Sequence, residues 1–456
     1  MHSKTLYIKT FGCQMNERDS EIIEQLLAQD GYLAVDGADK ADVVILNTCS
    51  IRAKAEQKVF SLLGQLREQK QLRPGMRIGV AGCVAQQEGE KIFSRMPHVD
   101  FIVGTQQIYQ LPEILQRLDQ GATSHELATD LDAAFAIPPF QQLLTHQPPA
   151  NPEGFRRFVT IMQGCNNYCS YCVVPHTRGR EVSRPVADIL EEVEILVSQG
   201  IKEITLLGQN VNSYGMTNPV AETPTSFARL LRLVAAVPGL KRLRFTTSNP
   251  KDLSAELVAC FGELDNLCPH FHLPVQSGSN RILRLMNRKY TVEEYLEKVA
   301  ALRERCPQIA LATDMIIGFP GESEADFEAT MELLRTVRYH GSFSFKYSDR
   351  PHVRSAEFSD KVEESVKSER LARFQGLQDQ ISLERNQEQL GQEVEVMVES
   401  AQSEMWKGRT TTNHIVHFPA AAQPHQPGDC LLVRIDHAGK HSLRGNIVVP
   451  EAEIDH

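Results

Sequence analysis

Three cysteines within eight residues, Cys165-x3-Cys169-x2-Cys172, constrain this chain more than any other feature. They follow the apolar run Phe158–Met162, which predicts a strand, so all three fall on one strand-to-loop exit. Thiolates spaced this tightly can hold one soft-metal site together. Three of them leave one iron of a four-iron cube without a protein ligand, and an open iron can bind and polarise a small molecule. Structural zinc fits less well, because it takes four ligands, usually as paired Cys-x2-Cys or Cys/His modules. A disulfide fits less still, since three is odd.

At 456 residues the chain has room for two or three domains with cores of their own. No apolar stretch approaches a membrane span, and Met1-His2-Ser3-Lys4 leads into a strand rather than a signal-peptide core, so no membrane partner is expected. Ten cysteines without an export signal predict a reducing cytoplasm and metal ligation, not a disulfide framework. A net charge of −10 argues against a large nonspecific nucleic-acid surface. Such contacts would need local patches, for example Glu153–Pro185, where Arg156, Arg157, Arg178, Arg180 and Arg184 meet one further acid, Glu181.

Residues 1–135 alternate strand and helix patterns. Leu6–Phe11, Val43–Leu46, Ile78–Ala81 and Phe101–Val103 read as strands, with helices over about Ser20–Gln29 and Ala53–Gln69. That alternation predicts an α/β unit with a doubly wound parallel sheet. Cys13, Cys49 and Cys83 each lie just past the carboxyl end of a strand, where open α/β sheets gather ligands. Separations of 36 and 34 residues, about one βα unit each, let these distant thiols converge. The plainer alternative is three unrelated buried thiols, since unpaired cysteine is often a core residue.

A proline-bearing, weakly charged stretch, 136–154, reads as a linker. Over 155–390 the alternation resumes, with strands expected at Phe158–Met162, Glu203–Leu207, Leu240–Thr246, Phe271–Val275, Ile309–Ile317 and Ser342–Lys346. Six repeats predict a partial (β/α)6 barrel, with chemistry at the carboxyl ends of the strands. Those ends are glycine-rich and polar: Gly208-Gln209-Asn210, Thr247-Ser248-Asn249, Gln276-Ser277-Gly278 and Ile317-Gly318-Phe319. Cys260, Cys268 and Cys306 match no site spacing and read as structural thiols. Tyr168 and Tyr171 are expected to pack rather than to stack on substrate.

Lys361–Leu390 predicts a long helix whose stripe Leu371, Phe374, Leu377 and Ile381 covers the barrel. Over 391–456 the pattern changes to short strands, Val394–Val398, Gly408–Thr412, Ile415–Phe418, Leu431–Ile435 and Leu443–Val449, which predict a small five-stranded β-barrel of a type used for RNA. This module is itself acidic, so RNA would bind a patch. Trp406 could stack on a base, but a lone tryptophan is more often core.

The segment Gly164-Cys165-Asn166-Asn167-Tyr168-Cys169-Ser170-Tyr171-Cys172-Val173-Val174-Pro175, followed by Arg178-Gly179-Arg180-Glu181 and Ser183-Arg184-Pro185, resembles the radical S-adenosylmethionine superfamily and, within it, the methylthiotransferase family. Asn47-Thr48-Cys49-Ser50-Ile51-Arg52 with Ala55-Glu56 is similar to the branch that modifies isopentenylated adenosine in tRNA. The resemblance runs from about Thr5 to the C-terminus, where Lys407-Gly408-Arg409-Thr410 and Pro427-Gly428-Asp429 resemble a TRAM domain. It departs from the branch at Pro351-His352-Val353-Arg354, where a small Gly-Thr-type turn is usual.

The resemblance implies two 4Fe-4S clusters and S-adenosyl-L-methionine as cofactors. Cys165, Cys169 and Cys172 would hold the cluster whose open iron binds the amino and carboxylate groups of S-adenosylmethionine, and reduction would yield a 5'-deoxyadenosyl radical. Cys13, Cys49 and Cys83 would hold an auxiliary cluster carrying the sulfur to be transferred, which makes all six cysteines catalytic. Gln209, Ser248 and Gln276 would line the S-adenosylmethionine pocket, and Asp314 and Ile316–Gly318 would flank its adenine; taken singly, each could be an ordinary turn residue. The implied reaction converts N6-isopentenyladenosine beside the anticodon to its 2-methylthio form. The implied partners are the tRNA anticodon stem-loop, an electron donor of flavodoxin or ferredoxin type, and a sulfur or cluster donor. Adenine C2–H offers no acidic proton, so a radical suits the task and acid–base catalysis does not. The alternatives are a methylthiotransferase of threonylcarbamoyladenosine or of a ribosomal-protein aspartate, a noncatalytic metal-containing RNA-binding protein, and an iron–sulfur electron carrier.

Overall fold

A computed structural model describes residues 4–50, 53–132, 134–143, 154–217, 225–402, 405–420 and 425–448. Its first sheet has six parallel strands: β1 (Thr5–Thr10), β2 (Leu33–Ala34), β3 (Val43–Thr48), β4 (Arg77–Gly82), β5 (Phe101–Val103) and β6 (Glu126–Ala128). Their order, β2-β1-β3-β4-β5-β6, is that of a doubly wound sheet. Every residue of β3 is buried, because helices cover both faces. On one side Ile23 and Leu27 of helix Gln14–Gln29 and Ile114 of helix Leu111–Asp119 pack on Leu6, Ile45 and Phe101. On the other, Val59, Leu63 and Leu66 of helix Ala53–Leu72 pack on Val44, Leu46, Ile78 and Val80.

The first helix starts at Gln14, not near Ser20. Its opening turn hides the amphipathic pattern because Asn16, Arg18 and Asp19 are buried against the rest of the protein instead of facing water. Strands β2 and β6 are too short and too exposed to carry a sequence signal.

In the second unit, β7 (Arg156–Thr160) is followed by a two-residue antiparallel pair, β8 (Met162–Gln163) with β9 (Val182–Ser183). Then come β10 (Glu203–Leu207), β11 (Arg242–Phe245), β12 (His270–His272), β13 (Ala310–Ile317) and β14 (Gly341–Lys346). Two parallel three-stranded sheets, β11-β10-β7 and β12-β13-β14, meet through a bridge between Leu243 and Leu267. The six main strands thus run in chain order as an open partial barrel. Strand β12 stops short of the expected Val275, because Pro274 has no N–H to donate. Helix Glu364–Gln387 buries Phe374 and Ile381 against the barrel's flank, as its stripe predicts.

The C-terminal module is a closed five-stranded barrel: β15 (Glu393–Gln402), β16 (Met405–Thr410), β17 (Ile415–Pro419), β18 (Cys430–Ala438) and β19 (Leu443–Ile447). Trp406 packs on its core of Val396, Val416, Phe418 and Val433, so the core role wins over stacking. Val449, at the end of the last expected strand, lies outside the described residues. Two arginines inside the open barrel anchor this module. Arg242 donates to the carbonyl of Arg409 at 2.7 Å and to Glu395 Oε1 at 2.8 Å, and Arg244 donates to the carbonyls of Thr410 and Thr411 at 2.8 and 3.0 Å. A buried ion network joins the first two units: Arg18 pairs with Glu192, Arg178 with Asp19 at 2.6 Å, and Arg184 with Asp188 and Glu192. Among the described residues, no helix is long and apolar enough to cross a membrane.

Candidate active site

Two groups of three thiols form at the carboxyl ends of the two parallel units. In the first, Cys13 sits in extended conformation at the start of helix Gln14–Gln29, Cys49 follows β3, and Cys83 opens helix Cys83–Glu88 after β4. Gly12, at φ +125°, brings the first strand exit against the second; a Cβ there would lie 2.2 Å from Cys49 Cβ. Gly82, at φ +89°, does the same for the third, where a Cβ would lie 2.5 Å from Asn47 Oδ1. A buried amide network locks the exits together: Asn16 Nδ2 donates to Asn47 Oδ1 and to the Thr48 carbonyl, both at 3.0 Å, and Asn47 Nδ2 donates to Ser20 Oγ at 2.9 Å. A hydrogen bond with Cys49 pulls the Cys13 thiol down to about 6, with the Arg178 guanidinium and the amides of Asn16 and Met15 helping against burial. Burial pushes the Cys83 thiol up, and Arg178 opposes it.

The second group lies on the loop after β8. Gly164, at φ +79°, turns the chain where a Cβ would sit 2.0 Å from the Arg180 carbonyl oxygen, and Cys165 N donates to the Gly179 carbonyl at 3.3 Å. Ser170 N and Oγ donate to the carbonyls of Met286 and Leu285 at 3.0 and 2.8 Å, which pins the loop to the helix Asn280–Leu285 region. Arg288 Nη1 donates to Cys169 Sγ, and Asn167 Nδ2 to Cys165 Sγ, both at 3.4 Å. Burial raises Cys165 to about 11 and Cys172 to about 12, and the nearby Cys169 sulfur adds to both. Thiols so placed become thiolates only when a cation sits among them.

Among the described residues, no three His, Cys, Asp or Glu side chains close around a single ion. A polynuclear cluster sets each thiolate on a different iron, so its ligands stay farther apart.

The face beside the second group carries a set of unmet polar atoms. Thr160 Oγ1, Gln163 Nε2, Gln209 Nε2, Asn210 Oδ1 and Ser248 Oγ are buried with no hydrogen-bond partner among the described residues. All five lie at or just past the carboxyl ends of β7, β8, β10 and β11. Buried polar groups are nearly always satisfied, so this concentration marks where a polar ligand belongs. Thr247 and Gln276 on the same rim hold φ of +69° and +74°, costly for side-chain-bearing residues and common at ligand sites. An amino acid joined to a ribose and a base carries the polar groups needed to fill such a face.

The expected pocket residues divide. Gln209 accepts from Gly164 N at 2.5 Å and keeps its amide nitrogen for a ligand, and Ser248 presents an unmet hydroxyl. The Gln276 carbonyl accepts from Ile316 N at 3.0 Å. Ile316 packs with Phe319, Met286 and Tyr171. Asp314 instead turns its carboxylate to His272 Nε2 at 3.0 Å, inside the barrel. Tyr171 packs as expected, whereas Tyr168 is 52% exposed at φ +48°. At the departure from the usual small turn, His352 takes φ +64°, the conformation glycine adopts most easily, and its ring centroid lies 6.1 Å from that of His176. Cys260, Cys268 and Cys306 are buried away from both groups. Sequence reasoning missed Arg288, 119 residues from Cys169 and without a local signal. It also missed Thr160 and Gln163, whose only marker is their place at a strand end; Asn210 was placed at such an end but given no pocket role.

A family described as "Uncharacterized protein family UPF0004" matches residues 5–104, and the Radical SAM superfamily matches 159–334. A tRNA-2-methylthio-N(6)-dimethylallyladenosine synthase from Desulfotalea psychrophila is 60% identical over 98% of this chain and 100% of its own length. The chain belongs to that synthase family. A Geobacter sulfurreducens synthase of the same name is 48% identical over 99% of both chains. As a member of the synthase family, the protein is a radical S-adenosylmethionine methylthiotransferase, and such enzymes use S-adenosylmethionine and two 4Fe-4S clusters. Among solved structures, the radical S-adenosylmethionine methyltransferase TsrM from Kitasatospora setae aligns with a TM-score of 0.57 over 78% of this chain and 75% of its own. At 15% identity that likeness shows the fold alone.

Proposed function

We propose that the chain converts N6-isopentenyladenosine next to the tRNA anticodon to 2-methylthio-N6-isopentenyladenosine, and that it does so in the cytoplasm. The observation that carries this is the pair of three-thiol groups at the carboxyl ends of two adjoining parallel units. One group sits beside a rim of five unmet polar atoms at the strand ends; beside the other, Gln86 Oε1, Gln87 Oε1 and Arg178 Nη1 are unmet. Cys165, Cys169 and Cys172 hold the cluster that works with S-adenosylmethionine, and Cys13, Cys49 and Cys83 hold the auxiliary one. When bound, these groups supply radical chemistry at an unreactive C–H bond and a methylated sulfur to place there, which no side chain here could provide.

The chain's own residues bind, orient and shield. Gln209 ties the rim to Gly164 and so to the cysteine loop, while its amide with Ser248, Thr160 and Asn210 receives the polar parts of S-adenosylmethionine. Arg288 steadies Cys169. Gln276 shapes the rim through its strained backbone, and Ile316 offers an apolar edge to the adenine. Asp314, held by His272, serves one layer deeper.

Arg156, Lys407 and Arg409 all approach the one carboxylate of Glu399, at 3.1, 3.4 and 2.7 Å. Three cations on one anion leave a net positive patch where the two barrels meet, suited to RNA phosphate despite the acidic composition. The target base must leave its stack to reach the rim, and a loop is where that costs least. A flavodoxin- or ferredoxin-type protein supplies electrons, and a separate donor restores the sulfur.

Nucleoside mass spectrometry of tRNA from a strain lacking this gene tests the proposal. Loss of the 2-methylthio isopentenyl nucleoside supports it, and an unchanged pool refutes it. Threonylcarbamoyladenosine and a ribosomal-protein aspartate find no support in the relatives named above.

A further inference from the structure

Arg178 belongs by sequence to the cysteine loop of the central unit but by position to the other cysteine group. It lies six residues after Cys172, at the end of helix Val174–Thr177, which packs against the helix that Cys83 opens. The segment is fastened there from the N-terminal side: Thr105 Oγ1 donates to the Thr177 carbonyl at 2.6 Å, and Gln106 Nε2 to the Arg178 carbonyl at 3.4 Å. The side chain is 4% exposed, and Nη2 is committed to Asp19 Oδ2 at 2.6 Å. Nη1 is buried and has no hydrogen-bond partner among the described residues. Asp19 rides on the helix that begins at Cys13, and the short helix before Arg178 packs on the one Cys83 opens, so the guanidinium lies beside that group.

A buried cationic N–H without an acceptor is expensive, and Asp19 occupies only Nη2 while the guanidinium also faces the Cys83 sulfur. Lysine could neutralise Asp19 as well, so the forked guanidinium suggests that the second edge has a target. The target must be an anion, and beside three thiolates on iron the fitting class is a soft sulfur anion, sulfide or an alkylthiolate. Resting on the function proposed above, we infer that Arg178 is a positioning residue that holds such a sulfur anion at the Cys13, Cys49 and Cys83 site through Nη1. One loop would then supply three ligands to one cluster and an anion clamp to the other.

The test uses the full chain, reconstituted without oxygen and titrated with methanethiolate, with electron paramagnetic resonance following the auxiliary cluster. The wild type should show a saturable change. Arg178→Met should need roughly 10- to 100-fold more methanethiolate for half of it, the effect of losing one charged hydrogen bond. Arg178→Lys, which keeps the charge and loses the fork, should fall between. Equal half-saturation in all three overturns the inference. If Arg178→Met fails to load iron, Arg178→Lys decides: weaker binding at full iron supports the role, and unchanged binding ends it. A wild type that loads both clusters and cleaves S-adenosylmethionine yet ignores methanethiolate overturns the inference and leaves the proposed function standing. Failure to load iron at the N-terminal group would strike that function instead.

Discussion

Gly12→Ala asks most directly whether the N-terminal thiols act as one site. The residue has no chemistry of its own, yet its missing Cβ lets two strand exits touch. At φ +125° an L side chain costs about 1–3 kcal/mol before any contact is counted. The new Cβ would start 2.2 Å from Cys49 Cβ, so the two exits must part by about 1.2 Å to reach ordinary contact at 3.4 Å. A displacement of roughly 1 Å in a catalytic constellation costs about 100-fold or more. Anaerobically reconstituted Gly12→Ala should therefore bind roughly four irons per chain rather than eight. It should still cleave S-adenosylmethionine to 5'-deoxyadenosine, while methylthiolation of an isopentenylated anticodon stem-loop falls by about 100-fold or more. Gly164→Ala gives the mirror image, because its Cβ would meet the Arg180 carbonyl oxygen at 2.0 Å and break the other loop. Full iron content with normal product from Gly12→Ala would refute the convergence of Cys13, Cys49 and Cys83.

The remaining predictions concern the ligands, the barrel junction and its response to acid. Cys169→Ala should abolish both 5'-deoxyadenosine and product, whereas Cys49→Ala should keep the first and lose the second; product from Cys49→Ala would mean that the auxiliary site is misassigned. Arg242→Met leaves the Arg409 carbonyl and Glu395 without their donor and should loosen the C-terminal barrel by about 1–3 kcal/mol, seen as earlier proteolysis after Leu390. Unchanged proteolysis would show that the module docks by other contacts. Burial holds His340 at about 3 and His414 at about 4, their rings 5.6 Å apart, against about 6.5 in the unfolded chain. The unfolded state thus binds more protons as pH drops. Stability should be level above pH 6.5 and fall below it, by roughly 1 kcal/mol per histidine at the first unit. The gap between thermal melts of the wild type and a His340→Asn, His414→Asn variant should stay constant above pH 6.5 and change only below it, and parallel pH profiles would rule the pair out.

How much was legible depended on whether the signal was local. The strand Glu203–Leu207, buried throughout, and the helix stripe at Phe374 and Ile381 appear as predicted, because each is a short-range apolar pattern. The first helix was misplaced because Asn16 is buried in an amide network and Arg18 and Asp19 in an interdomain ion network, neither of which any period records. Gln209 and Ser248 stood out through strand-end position, while Arg288 did not, since its partner is reached only by folding. Asp314 drew notice for its motif, yet its carboxylate faces His272.

By itself the amino-acid order determined the thiol spacing, the alternation that builds two parallel units and a small barrel, and hence the class of chemistry. These are set within a loop or a βα unit, where chain connectivity limits what can meet. Tertiary structure decided which side chains finish the site: that Gly12 and Gly82 let three distant exits close, that five polar atoms go unmet on one rim, and that Arg178 leaves its own loop to pair with Asp19 of the first unit. Such pairings depend on long-range packing and desolvation, which act only once the chain has folded.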